Sequence, residues 1–299
     1  MIISASRRTD IPAFYSDWFF NRLKAGYVLV RNPMNYHQVS KVLLSKENIS
    51  CIVFWTKNPN NILKYLDILL NNSIPFYFQF TLTPYSKEIE KNVFDKTNIF
   101  KIFIKLSELI GKERIIWRYD PIIFTDKIGL ETHIKYFNFM ANILYKYTNT
   151  CVISFIDIYK NTIKRMPQLK LIDEEDKYKL AEEISSTVLS LNLEAYTCSE
   201  SIDLKEIGIK KGACIDANLI KKLCGNMNLN LKKDINQRKE CGCVKSIDIG
   251  YYNTCLHNCI YCYANNNIKK VKNNVKTYSQ KNELLIGEID KKDVIRLRQ

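Results

Sequence analysis

Hydrophobic residues gather in short runs that alternate with longer amphipathic segments along most of the chain. Runs rich in β-branched and aromatic residues predict eight strands, at 2–6, 27–31, 50–55, 76–81, 114–118, 150–155, 193–198 and 245–250. Most of these runs are apolar at consecutive positions, as is typical of strands covered on both faces. The pattern therefore predicts a parallel sheet with helices between its strands.

The segments between these runs carry signals for helix starts and ends. Ser16 or Asp17 is predicted to cap a helix over 18–24, which Gly26 ends. Asp173 precedes a longer helix over 174–192 with one apolar face. Strand–helix alternation repeated eight times predicts a (β/α)8 barrel of the TIM type, complete or partial.

No internal repeat or low-complexity linker divides the chain. We therefore predict one barrel domain over 1–262, interrupted by a cysteine-rich insertion at 202–244 that contains a helix near 215–223. The remaining segment, 263–299, is predicted to form a helix and a tail that pack on the barrel.

Composition narrows the class of protein. The chain has 299 residues, 46% of them hydrophobic, which suffices for a large core. It lacks an apolar run of about eighteen residues and begins without the residue order of a signal peptide. We therefore expect a cytoplasmic protein, whose ten cysteines favour metal or cluster ligation over disulfide bonds.

The formal charge of +14 makes nucleic acid a possible partner. However, the chain is rich in Lys, Asn, Ile and Tyr together, a composition that AT-rich coding alone would produce. Its lysines are scattered, and no recognised nucleic-acid motif stands out. The charge therefore adds little to the case for nucleic acid.

Cys255, Cys259 and Cys262 form a CxxxCxxC motif just after the last predicted strand. Three thiolates at this spacing can hold three corners of a 4Fe–4S cube and leave its fourth iron free. Zinc prefers CxxC pairs and four ligands, so it fits only if another ligand joins. His257 is either that fourth ligand or a solvated loop residue. A further interpretation of the motif is that its cysteines are buried and bind no metal.

Five further cysteines lie at or after the seventh predicted strand. Four of them are predicted to converge near the barrel mouth and to hold an auxiliary 4Fe–4S cluster or zinc, namely Cys198, Cys214, Cys241 and Cys243. Cys224 is a reserve ligand. Cys51 and Cys151 lie within apolar strands and are interpreted as core residues.

Polar residues follow the predicted strands and define a candidate rim at their carboxyl ends. The rim consists of Arg7, Arg8, Asp10, Arg31, Asn32, Thr56, Lys57, Asn58, Gln79, Thr81, Thr83, Arg118, Asp120, Ser154, Asp157, Cys198 and Glu200. Its arginines suit carboxylate or phosphate groups. Structural alternatives remain for several members: Asp10 as a helix cap, Lys57 in a turn before Pro59, and Arg118 in an ion pair with Asp120.

The cysteine spacing resembles that of the radical S-adenosylmethionine (radical SAM) enzymes. This resemblance implies that SAM chelates the open iron and is cleaved reductively, so that a hydrogen atom is abstracted from a substrate. It also implies a reductant such as flavodoxin or ferredoxin. In those enzymes the cysteines follow the first strand, whereas here they follow the last. A circular permutation accounts for this difference if 245–250 lies beside 2–6.

Three longer motifs narrow the resemblance. They are Ser4-Ala-Ser-Arg-Arg-Thr-Asp-Ile-Pro12, Phe54-Trp-Thr-Lys-Asn-Pro59, and the run from Cys241-Gly-Cys243 through Asp248-Ile-Gly-Tyr-Tyr-Asn-Thr-Cys255 to Tyr261-Cys-Tyr-Ala264. They resemble a bacterial family defined only as a domain of unknown function, whose C-terminal cysteines are similar to those of radical SAM proteins. This implies cluster binding by Cys255, Cys259 and Cys262 but names no substrate.

The radical SAM resemblance also suggests contacts for SAM itself. The usual Gly-Gly-Glu motif for its ammonium group is absent, so Asp10 or Ser6 is the candidate acceptor. Arg7 or Arg8 would lie near its carboxylate, and Tyr261 beside its adenine. The alternative function is a non-catalytic iron–sulfur or zinc protein that binds nucleic acid through its basic surface.

Overall fold

The structure is a computed structural model that describes residues 1–158 and 160–298. Within them the chain forms strands β1 Ile2–Ala5, β2 Tyr27–Arg31, β3 Gln38–Leu43, β4 Cys51–Thr56, β5 Phe76–Thr81, β6 Ile115–Ile122, β7 Phe124–Thr125, β8 Thr150–Phe155, β9 Leu169–Lys170, β10 Glu194–Thr197, β11 Lys210–Lys211, β12 Ile247–Asp248 and β13 Val294–Arg298. The α-helices are α1 Ile11–Phe14, α2 Ser16–Ala25, α3 Leu66–Asn71, α4 Lys96–Ile110, α5 Leu130–Leu144, α6 Lys160–Arg165, α7 Glu174–Ser190, α8 Ala217–Cys224 and α9 Ile268–Lys276. Short 3-10 helices cover Pro59–Tyr65, Lys112–Arg114 and Lys205–Ile207.

Eight strands form one parallel sheet in the order β11-β10-β8-β6-β5-β4-β1-β12. The predicted α/β class with a parallel sheet is therefore confirmed. The last strand of the sheet along the chain, β12, pairs with β1, with Ile3 opposite Ile247 and Ser4 opposite Asp248. The predicted adjacency of the first and last strands is thus confirmed as well.

The complete barrel is not formed. In the part of the chain that the structure describes, β11 and β12 stand at the two ends of the sheet without pairing with each other. Each of these edge strands has only two residues, which offer few backbone groups for closure. The chain between them leaves the sheet and folds over one of its faces. The sheet is therefore open.

The predicted strand at 27–31 is real, but its place in the main sheet was wrong. β2 pairs antiparallel with β3, and β13 adds to β3 in parallel, so these strands form a separate three-stranded sheet. The cause is local, because the turn at 32–37 returns the chain directly, with the Asn32 backbone N–H bonded to the Gln38 carbonyl at 2.9 Å. A two-strand hairpin satisfies the backbone without a crossover.

Both faces of the main sheet are covered, but by different parts of the chain. One face carries side chains such as Phe54, Phe78 and Trp117, which are fully buried in the same core as residues of α2, α4, α5 and α7. The other face carries Val53 and Tyr77 and packs against residues of the 202–244 segment, including α8. This accounts for the consecutive apolar positions in the strands.

The structure confirms the predicted cap of α7 and the predicted glycine end of α2, but not the predicted cap of α2. α2 begins at Ser16 with Tyr15 in the cap position, so neither Ser16 nor Asp17 is the cap, and it ends at Gly26 with φ of 78°. α7 begins after Asp173, whose side chain accepts a hydrogen bond from the Asp176 backbone at 2.8 Å, as predicted. Among the described residues, no helix is long and apolar enough to cross a membrane.

Candidate functional site

The carboxyl ends of the parallel strands meet at one edge of the sheet, where the candidate residues gather. Asp10 follows β1, Lys57 follows β4, and the segment 82–95 follows β5. The loop that carries the CxxxCxxC motif follows β12, which is the neighbour of β1. Loops at this end of such sheets form ligand sites, and the topology therefore brings these segments together.

The cysteine loop is held by backbone contacts from its neighbours. The Ile260 backbone N–H bonds to the Ile89 carbonyl at 3.0 Å, and the Asn92 backbone N–H bonds to the His257 carbonyl at 3.0 Å. On the other side, the Arg165 guanidinium donates to the Cys262 carbonyl at 2.7 Å. The motif is thus part of the packed structure and not a free tail.

The three thiols of the motif lie close enough to affect one another. Cys259 is buried, whereas Cys255 and Cys262 are partly exposed. Burial raises the pKa of the Cys255 thiol, and Asp10 and the other two cysteines raise it further. Burial also raises the pKa of Cys259, although Lys57 opposes that shift. Three thiolates in this loop therefore need a bound cation to balance them.

The CxxxCxxC loop supplies three thiols as possible ligands. Among the described residues, no group of three or more His, Cys, Asp and Glu side chains is arranged to hold a metal ion. The ligands of a cube stand roughly 6 to 7 Å apart, wider than those around one ion. Thiolates are the usual ligands of iron–sulfur clusters, and this loop supplies three cysteines, one of them buried.

A buried charge cluster beside Cys259 is the feature that the sequence did not reveal. The Glu90 side chain is 1% exposed and accepts hydrogen bonds from Lys57 at 2.6 Å and Lys96 at 2.5 Å. The Thr83 and Tyr261 hydroxyls donate to it at 2.9 and 2.6 Å. Burial opposes its ionisation, but the two lysines outweigh this and lower the pKa of Glu90 to about 2.

Tyr261 is therefore fixed by Glu90, and its ring lies 5.6 Å from the Lys57 ammonium. Burial and the nearby Glu90 carboxylate raise the pKa of the Tyr261 phenol. The two lysines and one carboxylate carry one positive charge in excess beside Cys259, whereas Asp10 adds a negative charge beside Cys255. No sequence signal marks Glu90, because it lies in an irregular segment and belongs to no motif.

His257 is buried and not solvated. Its side chain is only 4% exposed, and its Nε2 atom lies 2.8 Å from Oδ2 of Asp10. Its Nδ1 atom is buried and has no hydrogen-bond partner within the described ranges. Asp10 also caps α1 through the Ala13 backbone at 2.9 Å and accepts the Lys57 backbone N–H at 2.8 Å. Asp10 thus joins three of the converging segments.

Asp248 organises the other candidates at the end of β1. Its carboxylate accepts the Ser4 and Ser6 hydroxyls, both at 2.6 Å, and the Arg7 backbone N–H at 2.9 Å. The Arg8 guanidinium lies over the Tyr252 ring at 5.2 Å. Ser6 and Asp10 are therefore already hydrogen-bonded within the protein. Asp248 belongs to one of the longer motifs, and that motif was the available signal for it.

The four auxiliary cysteines meet on the face of the sheet that the 202–244 segment covers. The Sγ atoms of Cys198 and Cys214 are 3.0 Å apart, and the thiols of Cys214 and Cys243 and of Cys243 and Cys241 also interact. Cys224 instead donates to the carbonyl of Ser50 at 3.1 Å, just before the amino end of β4. It is therefore not a reserve ligand. Cys51 and Cys151 are fully buried core residues, as predicted.

The remaining rim residues divide into three groups. Arg118 donates to Gln79 at 3.1 Å and forms an ion pair with Asp120, so its structural alternative is observed. The other rim residues at the ends of β4, β5, β8 and β10 keep their predicted edge, namely Thr56, Asn58, Thr81, Thr83, Ser154, Asp157 and Glu200.

Arg31 and Asn32 do not belong to the rim, because β2 lies in the other sheet. There Arg31 pairs with Asp293 at 2.6 Å.

Beside the ends of β8 and β10 lies a cavity of about 430 Å³, whose lining includes Glu200, Lys177 and Arg238. Burial raises the pKa of Glu200.

Residues 2–264 match the family described as Domain of unknown function (DUF1848). The chain belongs to this family. The match includes the CxxxCxxC motif and all four auxiliary cysteines, so both sets of thiols lie within the family region. No curated protein and no solved structure matches the chain. The chemistry of this DUF1848 protein therefore has to be argued from its own residues.

Proposed function

We propose that this protein is an iron–sulfur enzyme of the radical SAM type. Cys255, Cys259 and Cys262 would hold a 4Fe–4S cluster that stays open to SAM. When bound, this group supplies a reductive cleavage of SAM and the resulting hydrogen-atom abstraction. The observation that carries the proposal is the clustering of three thiols on one loop at the carboxyl edge of the sheet, beside a positively charged group.

The surrounding residues have definable roles in this proposal. Lys57 and Lys96 place positive charge near Cys259 and offset the negative charge of the thiolates. Glu90 holds both lysines and Tyr261 in fixed positions. Their burial makes these charges effective, because few water molecules screen them.

The SAM contacts remain part of the proposal. Asp10 and Ser6 are the candidate acceptors for the ammonium group; Asp10 already binds His257, and Ser6 already donates to Asp248. Arg8 is suited to the carboxylate, since its side chain is 22% exposed at the same edge. Tyr261 lies on the loop itself and offers a ring for stacking, and Arg7 is a second candidate for the carboxylate.

The fold supports this proposal through its strand order. Because β12 is the neighbour of β1, a cluster loop after β12 is adjacent to the loop after β1. We interpret the open sheet as a partial, circularly permuted relative of the radical SAM barrel. We further propose a cytoplasmic enzyme that receives electrons from a protein such as flavodoxin or ferredoxin.

A second candidate is a closed, non-catalytic metal site in which His257 is the fourth ligand, on a protein that binds nucleic acid through its +14 charge. One observation favours a ligand role for His257. Its Nδ1 is buried without a partner among the described residues, while Asp10 binds Nε2. Metal-binding histidines commonly have a carboxylate on their other nitrogen.

The experiment that tests the proposal is anaerobic reconstitution with iron and sulfide, followed by reduction in the presence of SAM. We expect 5′-deoxyadenosine to form with the wild-type protein and not with Cys259→Ala. The control is Cys151→Ala, which removes a fully buried thiol from the main core. Zinc without sulfide that Cys259→Ala loses and Cys151→Ala keeps, together with no 5′-deoxyadenosine, would support the closed site instead.

A further inference from the structure

The auxiliary cysteines form a continuous run of four sulfur atoms from three separate parts of the chain. Cys198 follows β10, Cys214 follows β11, and Cys241 and Cys243 precede β12. The Sγ atoms of Cys198 and Cys214 are 3.0 Å apart, and the thiol interactions continue through Cys243 to Cys241. Residues far apart in sequence thus meet at one point.

Two guanidinium groups and a backbone N–H lie among these thiols. Nη1 of Arg118 donates to Sγ of Cys214 at 3.1 Å, and the Ile215 backbone N–H donates to Sγ of Cys243 at 3.4 Å. Burial lowers the pKa of Arg7, but Cys243, Asp248 and Cys214 together outweigh it, which places this guanidinium near the same thiols. Cys214, Cys241 and Cys243 are all buried.

The backbone is also adapted to this convergence. A Cβ atom at Gly242, between Cys241 and Cys243, would lie 3.1 Å from the Gly212 carbonyl oxygen, closer than ordinary contact distance. The carbonyl of Cys214 is held by the Tyr77 hydroxyl at 2.7 Å and by the Gln79 amide at 2.9 Å. The two cysteine-bearing segments therefore approach each other at a point where glycine is needed.

We propose that Cys198, Cys214, Cys241 and Cys243 bind a single tetrahedral metal ion of the Zn²⁺ class. Metal–sulfur bonds of about 2.3 Å place the sulfurs of a tetrahedron roughly 3.8 Å apart. The ligands of a 4Fe–4S cube stand roughly 6 to 7 Å apart. Thiols that contact one another match the smaller site, so the auxiliary 4Fe–4S cluster is the less suitable occupant.

Charge and position are consistent with this assignment. A divalent ion with four thiolates carries two negative charges in excess, and the guanidinium groups of Arg7 and Arg118 balance them. The thiols now meet in a run of pairs and not in a formed shell of three or more, as noted above for the described residues. Binding therefore requires rotation of the outer side chains of Cys198 and Cys241 toward the inner pair.

The site would join the two edges of the open sheet. Cys198 and Cys214 lie next to β10 and β11 at one edge, and Cys241 and Cys243 lead into β12 at the other. A structural metal contributes its binding free energy to the fold. The ion would thus hold the segment leading into β12 and the cysteine loop after it.

The test uses the full chain with Cys255, Cys259 and Cys262 replaced by Ala, so that its outcome is independent of the proposed cluster. After anaerobic purification we expect about one zinc per chain, no sulfide, and X-ray absorption showing four sulfurs at about 2.3 Å. Adding Cys214→Ser should lower the zinc affinity at least about tenfold in competition with a chelator, because loss of even a residue behind the ligands commonly costs that much. The control, Cys151→Ser, should retain the zinc.

Two results would overturn the assignment. Iron with sulfide in the triple variant would indicate a cube, and a metal-free protein with a Cys198–Cys214 disulfide in mass spectrometry would indicate a redox pair. Should Cys214→Ser fail to fold by circular dichroism, Cys198→Ser replaces it, because Cys198 is only partly buried. Full zinc retention in a folded ligand variant would also refute the proposal.

Discussion

Replacement of Glu90 by Gln tests the buried charge cluster beside the cysteine loop. The change removes the negative charge but keeps the shape of the side chain, so Lys57 and Lys96 are left together in a buried site. The pKa of Glu90 falls from its ordinary value of 4.5 to about 2, because the lysines outweigh the cost of burial. At about 1.4 kcal/mol per pKa unit, this corresponds to roughly 3 kcal/mol.

The usual cost of breaking a buried ion pair has the same magnitude. Removing one partner of a buried ion pair costs about 3 to 5 kcal/mol, because the remaining charge stays buried and uncompensated. We therefore expect Glu90→Gln to lower the free energy of unfolding by about 3 kcal/mol in urea titrations at pH 7. The matched control is Glu88→Gln, whose ion pair with Lys127 is exposed, at 72% and 79% of the two side chains. That variant should change stability by less than about 1 kcal/mol.

The pH dependence gives a further test of the same cluster. Because the pKa of Glu90 is depressed in the folded state, its contribution is fully present above about pH 4.5 and is lost as the pH falls toward 2. The difference between wild type and Glu90→Gln should therefore be constant from pH 7 to about 5 and shrink below that. Two results would refute this role of Glu90. One is a loss of stability no larger than that of Glu88→Gln; the other is a stability difference between wild type and Glu90→Gln that grows as the pH falls.

Three other predictions concern the loop and its anchors. Cys259→Ala should abolish the visible charge-transfer absorption of the reconstituted protein, and Cys151→Ala should keep it; equal spectra would exclude the motif as the cluster site. Gly250→Ala should cost about 1 to 3 kcal/mol in urea unfolding, because its Cβ would collide with a side chain after β1. Gly129→Ala, with nothing within 4 Å, should cost less, and an equal cost would show that this contact adapts freely. His257→Ala should retain iron and sulfide if the histidine only positions Asp10, whereas loss of the metal bound by Cys255, Cys259 and Cys262 would favour the closed site.

Much of the sheet was predictable because its strands are covered on both faces. The apolar runs at 50–55, 76–81 and 150–155 predict β4, β5 and β8 within one residue. The run at 27–31 looks the same but forms a hairpin, since its pairing is decided by the turn that follows it. β11 consists of two exposed lysines and carries no strand signal.

The cysteines were easier to predict than their surroundings. Spacing marks Cys255, Cys259 and Cys262 directly, whereas the burial of His257 depends on Asp10, which lies 247 positions away. Glu90 lies in an irregular segment, and its partners Lys57 and Tyr261 reach it from other loops. Such contacts arise from tertiary packing, for which local periodicity gives no signal.

The proposed function requires an open iron on a cluster held by Cys255, Cys259 and Cys262. Its most direct test is the electron paramagnetic resonance spectrum of the anaerobically reconstituted, reduced protein with and without SAM. We predict that SAM changes the cluster signal, whereas 5′-methylthioadenosine, which lacks the amino and carboxylate groups, leaves it unchanged. A cluster signal that SAM does not alter would contradict the proposed function, because it would mean that the fourth iron is closed.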